Sequence, residues 1–321
     1  MGLPHHAVYS QMLCAGSEQD LLLGMGAFCS SAEAEEISRL TALGLPPVTS
    51  LEALAVMTGF NPGFLWSLQN RPDRQYRVFS IPKGKTFRQI EAPRVGLKFI
   101  QKWLSIHFEH KWSAHPAVHG FVKGRSHITA ARVHLNAQWV ISVDLENFFP
   151  STKVDTVEKA LRKLGYKTDA SISILSSLLC FKLRLSQGAP TSPVISNIAL
   201  SDIDDKISLI AQNCGARYTR YADDIVLSGT LSPPENLLLA IKNVFEKTCW
   251  RLAERKTSTV QLPQRLKVHG LLVHGEKIRL TKGYRNKIRA FNHLFEKDAV
   301  KAEDAQRIRG HVNYSRQIER V

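Results

Sequence analysis

The sequence has few cysteines and no long apolar run, and both shortages limit the class of protein. No stretch of its 321 residues approaches the roughly 18 uncharged apolar residues that a membrane-spanning helix needs. The apolar segment from Leu21 to Phe28 is short and lacks the basic leader of a secretory signal peptide. The five cysteines are odd in number and form no Cys-x-x-Cys pair. We therefore predict a cytoplasmic protein with reduced, buried thiols and neither disulfide bonds nor structural zinc.

Several catalytic motifs are missing as well. The sequence contains no phosphate-binding P-loop, no Gly-x-Ser-x-Gly elbow and no cluster of His and Cys at metal-ligand spacing. His115 and His119 are four residues apart, but Pro116 and Gly120 would interrupt the helix that such a ligand pair requires, so we expect no zinc there.

Acidic residues are too few to balance the basic ones. The chain has 43 Lys and Arg against 28 Asp and Glu, which gives a formal net charge of +15. An excess of this size is uninformative about the fold, but it favours a polyanionic partner, either nucleic acid or an anionic membrane surface. Because no membrane span is predicted, nucleic acid is the favoured partner class.

Two adjacent aspartates, Asp223 and Asp224, lie among apolar and β-branched residues in the segment Arg217–Ser228. This pattern predicts a β-hairpin with both aspartates at its tip. Neighbouring carboxylates repel each other and are costly to desolvate unless a cation neutralises them. With a third carboxylate they would form an oxygen site for Mg²⁺. Taken alone, the segment fits a solvent-exposed Asp-Asp turn equally well.

A third carboxylate, Asp144, lies at the end of the most clearly predicted strand, Gln138–Leu145, one residue before Leu145. Alternation along the strand places Trp139 and Val143 on one face and Ser142 with Asp144 on the other. An aspartate on the polar side of a buried strand is hard to explain by packing alone.

Local patterns predict the other elements. Residues 1–70 are expected to be mostly helical, and residues 77–90 to form a hairpin with a basic turn. The cations of that hairpin could protect a solvated edge strand or contact phosphates. Ser192 suits a helix N-cap and Pro193 the first helical position, which predicts one helix whose apolar stripe continues to Ile210.

Three segments, in their order and spacing, resemble successive core motifs of reverse transcriptases: Val143-Asp-Leu-Glu-Asn-Phe-Phe-Pro-Ser151, Gln187-Gly-Ala-Pro-Thr-Ser-Pro193 and Tyr221-Ala-Asp-Asp224. Ile81–Pro93 and Gly120–Ser126 resemble the two preceding finger motifs, so the resemblance covers about residues 70 to 321. The compact size, the helical lead-in and the Arg220-Tyr-Ala-Asp-Asp context are most similar to the retron-type enzymes of bacteria.

The chain departs from the retron pattern in three places. Where those enzymes carry Asn-Ala-x-x-His, it reads Ala130-Ala-Arg-Val-His134, and where they carry Val-Thr-Gly, it reads Val268-His-Gly270. The Asn that usually precedes a late Lys-Thr is Ala253. Two alternatives stay open: a reverse transcriptase of another bacterial type, such as one from a group II intron, and a non-catalytic RNA-binding protein on the same fold.

The resemblance implies roles for individual residues. Asp144, Asp223 and Asp224, with Leu145, would hold two Mg²⁺ ions (Mn²⁺ is also compatible), and Lys256 would give a proton to the pyrophosphate. Phe149 would exclude a 2′-hydroxyl. The implied contacts to the incoming dNTP are Lys85, Arg88, Asn147, Phe148, Phe149 and Gln187. The implied contacts to template and primer are Gly120, Lys123, Arg125, Ser126, Tyr221, His269 and Gly270. For Lys85, Arg88 and Lys256 an ordinary solvated cation is the alternative.

The resemblance also implies an α+β right-hand polymerase fold, with fingers, a palm built on an antiparallel sheet, a short helical thumb and an N-terminal helical extension. The expected boundaries are 1–70 for the extension, 71–139 for the fingers, 140–265 for the palm with a fingers return at about 153–190, and 266–321 for the primer-grip hairpin and thumb. The implied activity is RNA-directed DNA synthesis that copies part of a structured non-coding RNA into msDNA, in antiphage defence. The implied partners are that RNA, its DNA product, dNTPs and an effector protein encoded alongside.

Overall fold

The structure is a computed structural model that describes residues 10–84 and 86–320. Its α-helices are α1 (Glu18–Met25), α2 (Ser31–Ala42), α3 (Leu51–Thr58), α4 (Pro62–Asn70), α5 (Val95–Lys111), α6 (His127–Val133), α7 (Phe148–Ser151), α8 (Val154–Leu164), α9 (Asp169–Leu179), α10 (Ser192–Ala199), α11 (Ser201–Asn213), α12 (Leu237–Phe245), α13 (Lys282–Glu296) and α14 (Ala302–Glu319). Its strands are β1 (Tyr76–Lys83), β2 (Thr86–Pro93), β3 (Trp139–Asp144), β4 (Cys180–Phe181), β5 (Arg184–Leu185), β6 (Arg217–Tyr221), β7 (Asp224–Gly229), β8 (Ser258–Gln261), β9 (Lys267–Val268), β10 (Leu271–Leu272) and β11 (Arg279–Leu280). Short 3₁₀ helices span Gly26–Phe28, Pro72–Arg74 and Glu254–Lys256.

The chain divides into two compact units. The first contains residues 1–114 and 147–201, and the second contains residues 115–146 and 202–321. The predicted boundaries of fingers, palm and thumb stay predictions. Within the described ranges, no helix has both the length and the apolar character that crossing a bilayer would require.

The first unit is built around one apolar core that the N-terminal helices share with α5, α8, α9 and α10. Leu54 of α3, Leu104 of α5 and Leu161 of α8 are all fully buried in it. Burial of one such side chain stabilises the fold by about 1.5–3 kcal/mol. The N-terminal helices predicted from the sequence are therefore an integral part of this unit.

Local sequence signals explain several ends of elements in the first unit. The side chain of Ser50 accepts a hydrogen bond from the backbone N–H of Ala53 and starts α3, which ends at Gly59 in a left-handed conformation. Strands β1 and β2 pair over their whole length, with Lys83 opposite Thr86. The hairpin predicted for residues 77–90 is thus confirmed.

The second unit contains a four-stranded antiparallel sheet in the order β6-β7-β3-β8. The consecutive strands β6 and β7 form what we call the aspartate hairpin. Strand β3 is central, which explains why its residues are almost all buried. Apolar residues of β9, β10, β11 and α14 pack on the sheet at Val140 and Val226.

Three expectations require correction. The single helix predicted from Ser192 is two helices, α10 and α11, because the backbone of Leu200 between them (φ −85°, ψ −3°) departs from α-helical geometry. Its N-cap position is occupied by Thr191, and Ser192 is the first helical residue. The prediction of buried thiols is confirmed for Cys180 alone, since Cys14 and Cys214 are exposed and Cys29 and Cys249 are half-buried.

Candidate active site

Three aspartates meet at one end of the four-stranded sheet of the second unit. Asp144, the last residue of β3, lies directly opposite Asp224, the first residue of β7. Directly opposed residues on antiparallel strands have their Cβ atoms about 4.5–5.5 Å apart. Asp223 lies in the two-residue turn before Asp224, and its carbonyl accepts a hydrogen bond from the backbone N–H of Leu145 (3.1 Å). The prediction that both aspartates occupy the tip is therefore wrong for Asp224, which begins the strand.

The three carboxylates perturb one another. Burial raises the pKa of Asp144 and that of Asp223, and the nearby carboxylate of Asp224 adds to both shifts. Burial is the largest single influence on Asp224 and acts to raise its pKa, but His269, Asp144 and Lys256 together outweigh burial, and the pKa is lowered. Partly buried carboxylates this close together are the oxygen ligands that hard divalent cations prefer.

The donor set fits a divalent cation although its side chains are not all turned toward one point. Within residues 10–84 and 86–320, no three His, Cys, Asp or Glu side chains are arranged to coordinate a single ion as they stand. Asp144 instead pairs with Lys256, and Asp224 faces His269. Coordination of a cation by all three aspartates would compete with these two contacts.

Lys256 is held next to Asp144 by its side chain and by the backbone. Its Nζ lies 2.6 Å from Oδ1 of Asp144, and this hydrogen bond raises the pKa of Lys256. The backbone N–H of Ala253 donates to the carbonyl of Asp144 (2.8 Å), and that of Lys256 donates to Ala253 (2.9 Å). The lysine side chain is 53% exposed, so the ammonium group is accessible to a second anion.

His269 lies in the turn between β9 and β10, where it and Gly270 both have positive φ (47° and 84°). This conformation is typical of the tight turns that join twisted strands. The imidazole is nearly buried, with Nδ1 3.6 Å from Oδ2 of Asp224 and the ring 5.3 Å from that of Tyr221. The structure thus brings three predicted primer residues, Tyr221, His269 and Gly270, to the same end of the sheet as the carboxylates.

The loop from Gly120 to Ser126 lies alongside the aspartate hairpin. The N–H of His119 donates to the carbonyl of Arg220 (2.8 Å), and a Cβ atom on Gly120 would lie only 2.2 Å from the backbone nitrogen of Ala222. Only glycine allows this approach, because the atom it would meet belongs to the backbone.

Two of the predicted template contacts also stabilise this loop. Nη1 of Arg125 donates to the carbonyls of His115 (2.8 Å) and Val118 (2.6 Å). Ser126 caps α6 through reciprocal hydrogen bonds with Thr129. Lys123, in contrast, is exposed at the tip of the loop.

Five of the six predicted dNTP contacts lie in the first unit. Asn147 precedes α7 in a left-handed conformation (φ 46°). Phe148 is buried, and its ring centroid lies 5.1 Å from that of Phe149. The carbonyl of Gln187 accepts a hydrogen bond from the backbone N–H of Glu91 (2.9 Å). Arg88 lies on β2, and Lys85 lies outside the described residues.

Sequence reasoning missed a buried ion pair between Asp204 of α11 and Arg220 of β6. A signal for it was present, because Asp204 shares the buried face of α11 with Ile207 and Ala211. A carboxylate on an apolar helix face requires a buried partner. The partner itself could not be chosen among 43 basic residues without the fold.

Comparison with known proteins identifies the family. Residues 81–283 match the family described as reverse transcriptase (RNA-dependent DNA polymerase). The chain is similar to the retron Ec86 reverse transcriptase of Escherichia coli, with 31% identity over 303 residues that cover 88% of this chain and 89% of that protein. It is also similar to the retron Mx162 reverse transcriptase of Myxococcus xanthus, with 34% identity over 269 residues that cover 74% of this chain and 56% of that protein.

Among solved structures, the chain is similar to apo telomerase from Candida tropicalis truncated from its C-terminal domain, with a TM-score of 0.46, 13% identity and coverage of 64% of this chain and 55% of that one. The family match and the antiparallel sheet confirm the predicted α+β polymerase fold class. The chain belongs to the retron-type reverse transcriptases, and it is an RNA-directed DNA polymerase.

Proposed function

We propose that this enzyme copies part of a structured non-coding RNA into DNA, giving an msDNA-type product, and that this synthesis serves antiphage defence. The observation that carries the proposal is the convergence of Asp144, Asp223 and Asp224 at one end of the sheet in a chain that is similar to a retron enzyme over 88% of its length. The net charge of +15 suits a protein that follows an RNA template and its duplex product through their phosphates.

The three aspartates would hold two Mg²⁺ ions, and Mn²⁺ suits the same oxygen ligands. The backbone carbonyl of Leu145 is proposed as an additional ligand. When bound, such a pair of ions lowers the pKa of the primer hydroxyl and stabilises the negative charge that develops during nucleotidyl transfer. The mutual repulsion of the carboxylates and their partial burial support this assignment, because bound cations relieve both costs.

The protein's own groups then bind and orient the substrates. Lys256, whose Nζ lies 2.6 Å from Oδ1 of Asp144, is proposed to give a proton to the leaving pyrophosphate. In our proposal the triphosphate is contacted by Lys85 and Arg88, and the sugar by Phe149, which leaves no room for a 2′-hydroxyl. The remaining proposed dNTP contacts are Asn147, Phe148 and Gln187.

Template and primer contacts are proposed for the residues next to the aspartate hairpin. Lys123 is exposed and suits a phosphate contact, while Tyr221 and His269 both lie next to Asp224. The other proposed contacts are Gly120, Arg125, Ser126 and Gly270. An effector protein encoded alongside the enzyme is the proposed protein partner.

Primer extension on poly-rA with oligo-dT and Mg²⁺ tests the role of the carboxylates. We expect Asp223→Asn to lower the rate by about 100-fold or more, since it removes a charge that stabilises the transition state, while RNA affinity stays within about twofold of wild type. Asp298→Asn, at an exposed aspartate, is the matched control and should behave as wild type. A wild-type rate for Asp223→Asn would refute the proposed site.

Sequencing of the nucleic acid that co-purifies with the protein from its host tests the product. We expect a covalent RNA–DNA molecule whose DNA is complementary to part of the attached RNA. Recovery of RNA alone from cells with active enzyme would contradict msDNA synthesis.

A further inference from the structure

A fully buried ion pair lies beside the turn that carries Asp223. Nη2 and Nε of Arg220 lie 2.6 and 2.7 Å from the two carboxylate oxygens of Asp204, and both side chains are completely excluded from solvent. The hydroxyl of Tyr218 donates to Oδ1 of the same carboxylate (2.6 Å). The guanidinium plane is thus fixed by a bidentate contact that tolerates little rotation.

The third guanidinium nitrogen reaches the turn itself. Nη1 of Arg220 donates to the carbonyl of Ala222 (3.1 Å), a residue with a φ of 58° that few side-chain-bearing residues adopt. The next carbonyl, that of Asp223, accepts the hydrogen bond from Leu145. Both carbonyls of the two-residue turn are therefore held by donors outside it.

Stability alone does not account for this arrangement. Removing two charges from water is expensive, and apolar residues of similar size often replace a buried ion pair without loss of stability. A guanidinium, however, can bind both oxygens of a carboxylate and still direct a further N–H at a backbone carbonyl, which an apolar residue or an ammonium group cannot do.

We infer that Arg220 is a positioning residue for nucleotidyl transfer. Asp204 and Tyr218 orient its guanidinium, and the guanidinium fixes the Ala222–Asp223 peptide and thereby the direction in which the Asp223 carboxylate extends. The inference deepens the proposed function and rests on the proposed role of Asp223.

Arg220→Lys is the central test, because it keeps the charge next to Asp204 but cannot contact both carboxylate oxygens and the Ala222 carbonyl at once. We expect kcat for dTTP incorporation to fall about 10- to 100-fold, as for other misplacements near reacting groups. KM for dTTP and the affinity for RNA should stay within about twofold. Tyr218→Phe, which removes only the hydroxyl, should lower kcat by a smaller factor in the same direction.

Arg39→Lys is the matched control in the first unit. Arg39 also makes a bidentate contact, to Glu36 (2.7 Å for both hydrogen bonds), and donates to a backbone carbonyl, that of Gly165 (2.7 Å). The same substitution there should lower the melting temperature and leave kcat unchanged.

A double variant separates positioning from folding. Arg220→Met with Asp204→Leu replaces the ion pair by apolar side chains and should melt closer to wild type than Arg220→Met alone, which leaves a buried unpaired carboxylate, yet show the low kcat of Arg220→Lys. If either Arg220 variant keeps the wild-type kcat while Asp223→Asn is inactive, the positioning role of Arg220 is overturned and the proposed site is not. Full activity of Asp223→Asn would instead overturn the proposed site on which it rests. If Arg220→Lys does not fold, the double variant and Tyr218→Phe decide the question.

Discussion

At the scale of single residues, buried polar side chains hold the aspartate hairpin together. His134 is fully buried, with Nδ1 2.7 Å from the hydroxyl of Ser228 on β7 and Nε2 2.7 Å from that of Thr219 on β6. Burial lowers the pKa of His134 to about 3. The imidazole is therefore neutral in the folded protein at neutral pH, and it links the two strands.

This lowered pKa predicts a pH-dependent stability. Between pH 6.5 and pH 3 the unfolded chain binds a proton on His134 that the folded chain does not, so the free energy of unfolding falls as the pH falls through that window. From pH 7 to pH 5 the loss from this residue is about 2 kcal/mol. Urea denaturation measures the free energy of unfolding at each pH. Between pH 7 and pH 5 this free energy should fall less in His134→Gln than in wild type, by that amount.

His274, which is exposed, provides the control for that measurement. In His274→Gln the free energy of unfolding should fall between pH 7 and pH 5 by the same amount as in wild type. If the free energy of unfolding of His134→Gln also falls by the wild-type amount between pH 7 and pH 5, then His134 takes up its proton in the folded state.

At the scale of elements, the turn of the aspartate hairpin depends on the loop beside it. Gly120 lies against the backbone of Tyr221 and Ala222 with no space for a Cβ atom. Gly120→Ala must therefore displace either the loop or the turn. We expect primer extension to fall at least tenfold, in line with the cost of small displacements at a reacting centre, while circular dichroism still shows a folded protein.

Gly310 serves as the control for Gly120. It lies within α14, and a Cβ atom added there would meet nothing within 4 Å beyond the backbone of its own helix. Gly310→Ala should therefore keep full activity and stabilise the helix by up to about 1 kcal/mol. Equal activity of Gly120→Ala and wild type would show that the turn does not require the close contact.

The sequence predicted the hairpins at residues 77–90 and 217–228 because alternation and turn residues are local signals. It did not predict the break between α10 and α11, since the apolar stripe continues through it and the change in backbone conformation at Leu200 has no local sequence signal. Each of the three aspartates could be selected from sequence, but the opposition of Asp144 and Asp224 is a matter of strand register, which no local pattern specifies.

At the scale of the whole molecule, positive charge is unevenly distributed along the chain. Residues 1–70 contain six acidic residues and a single basic one, so residues 71–321 carry the entire basic excess. This division agrees with a nucleic-acid-binding role for the later residues. It could be read from the sequence, whereas the core that the N-terminal helices share with α5 and α8 required the three-dimensional structure.

The charge excess predicts strongly salt-dependent RNA binding. If six or more phosphates are neutralised, the affinity should fall by about 10³-fold or more between 50 and 200 mM salt, because bound counterions are released from the RNA. Fluorescence anisotropy with a labelled RNA–DNA hybrid across that range measures the slope. A nearly flat dependence would mean that phosphates contribute little to binding.

The most direct test of the account is to count metal ions at the three aspartates. Electron paramagnetic resonance can measure Mn²⁺ bound to the enzyme with an RNA template, a dideoxy-terminated DNA primer and the matching dNTP. We predict two bound ions per wild-type chain and the loss of at least one in each of Asp144→Asn, Asp223→Asn and Asp224→Asn. Equal Mn²⁺ binding by wild type and all three variants would contradict the assignment of these aspartates as the metal site.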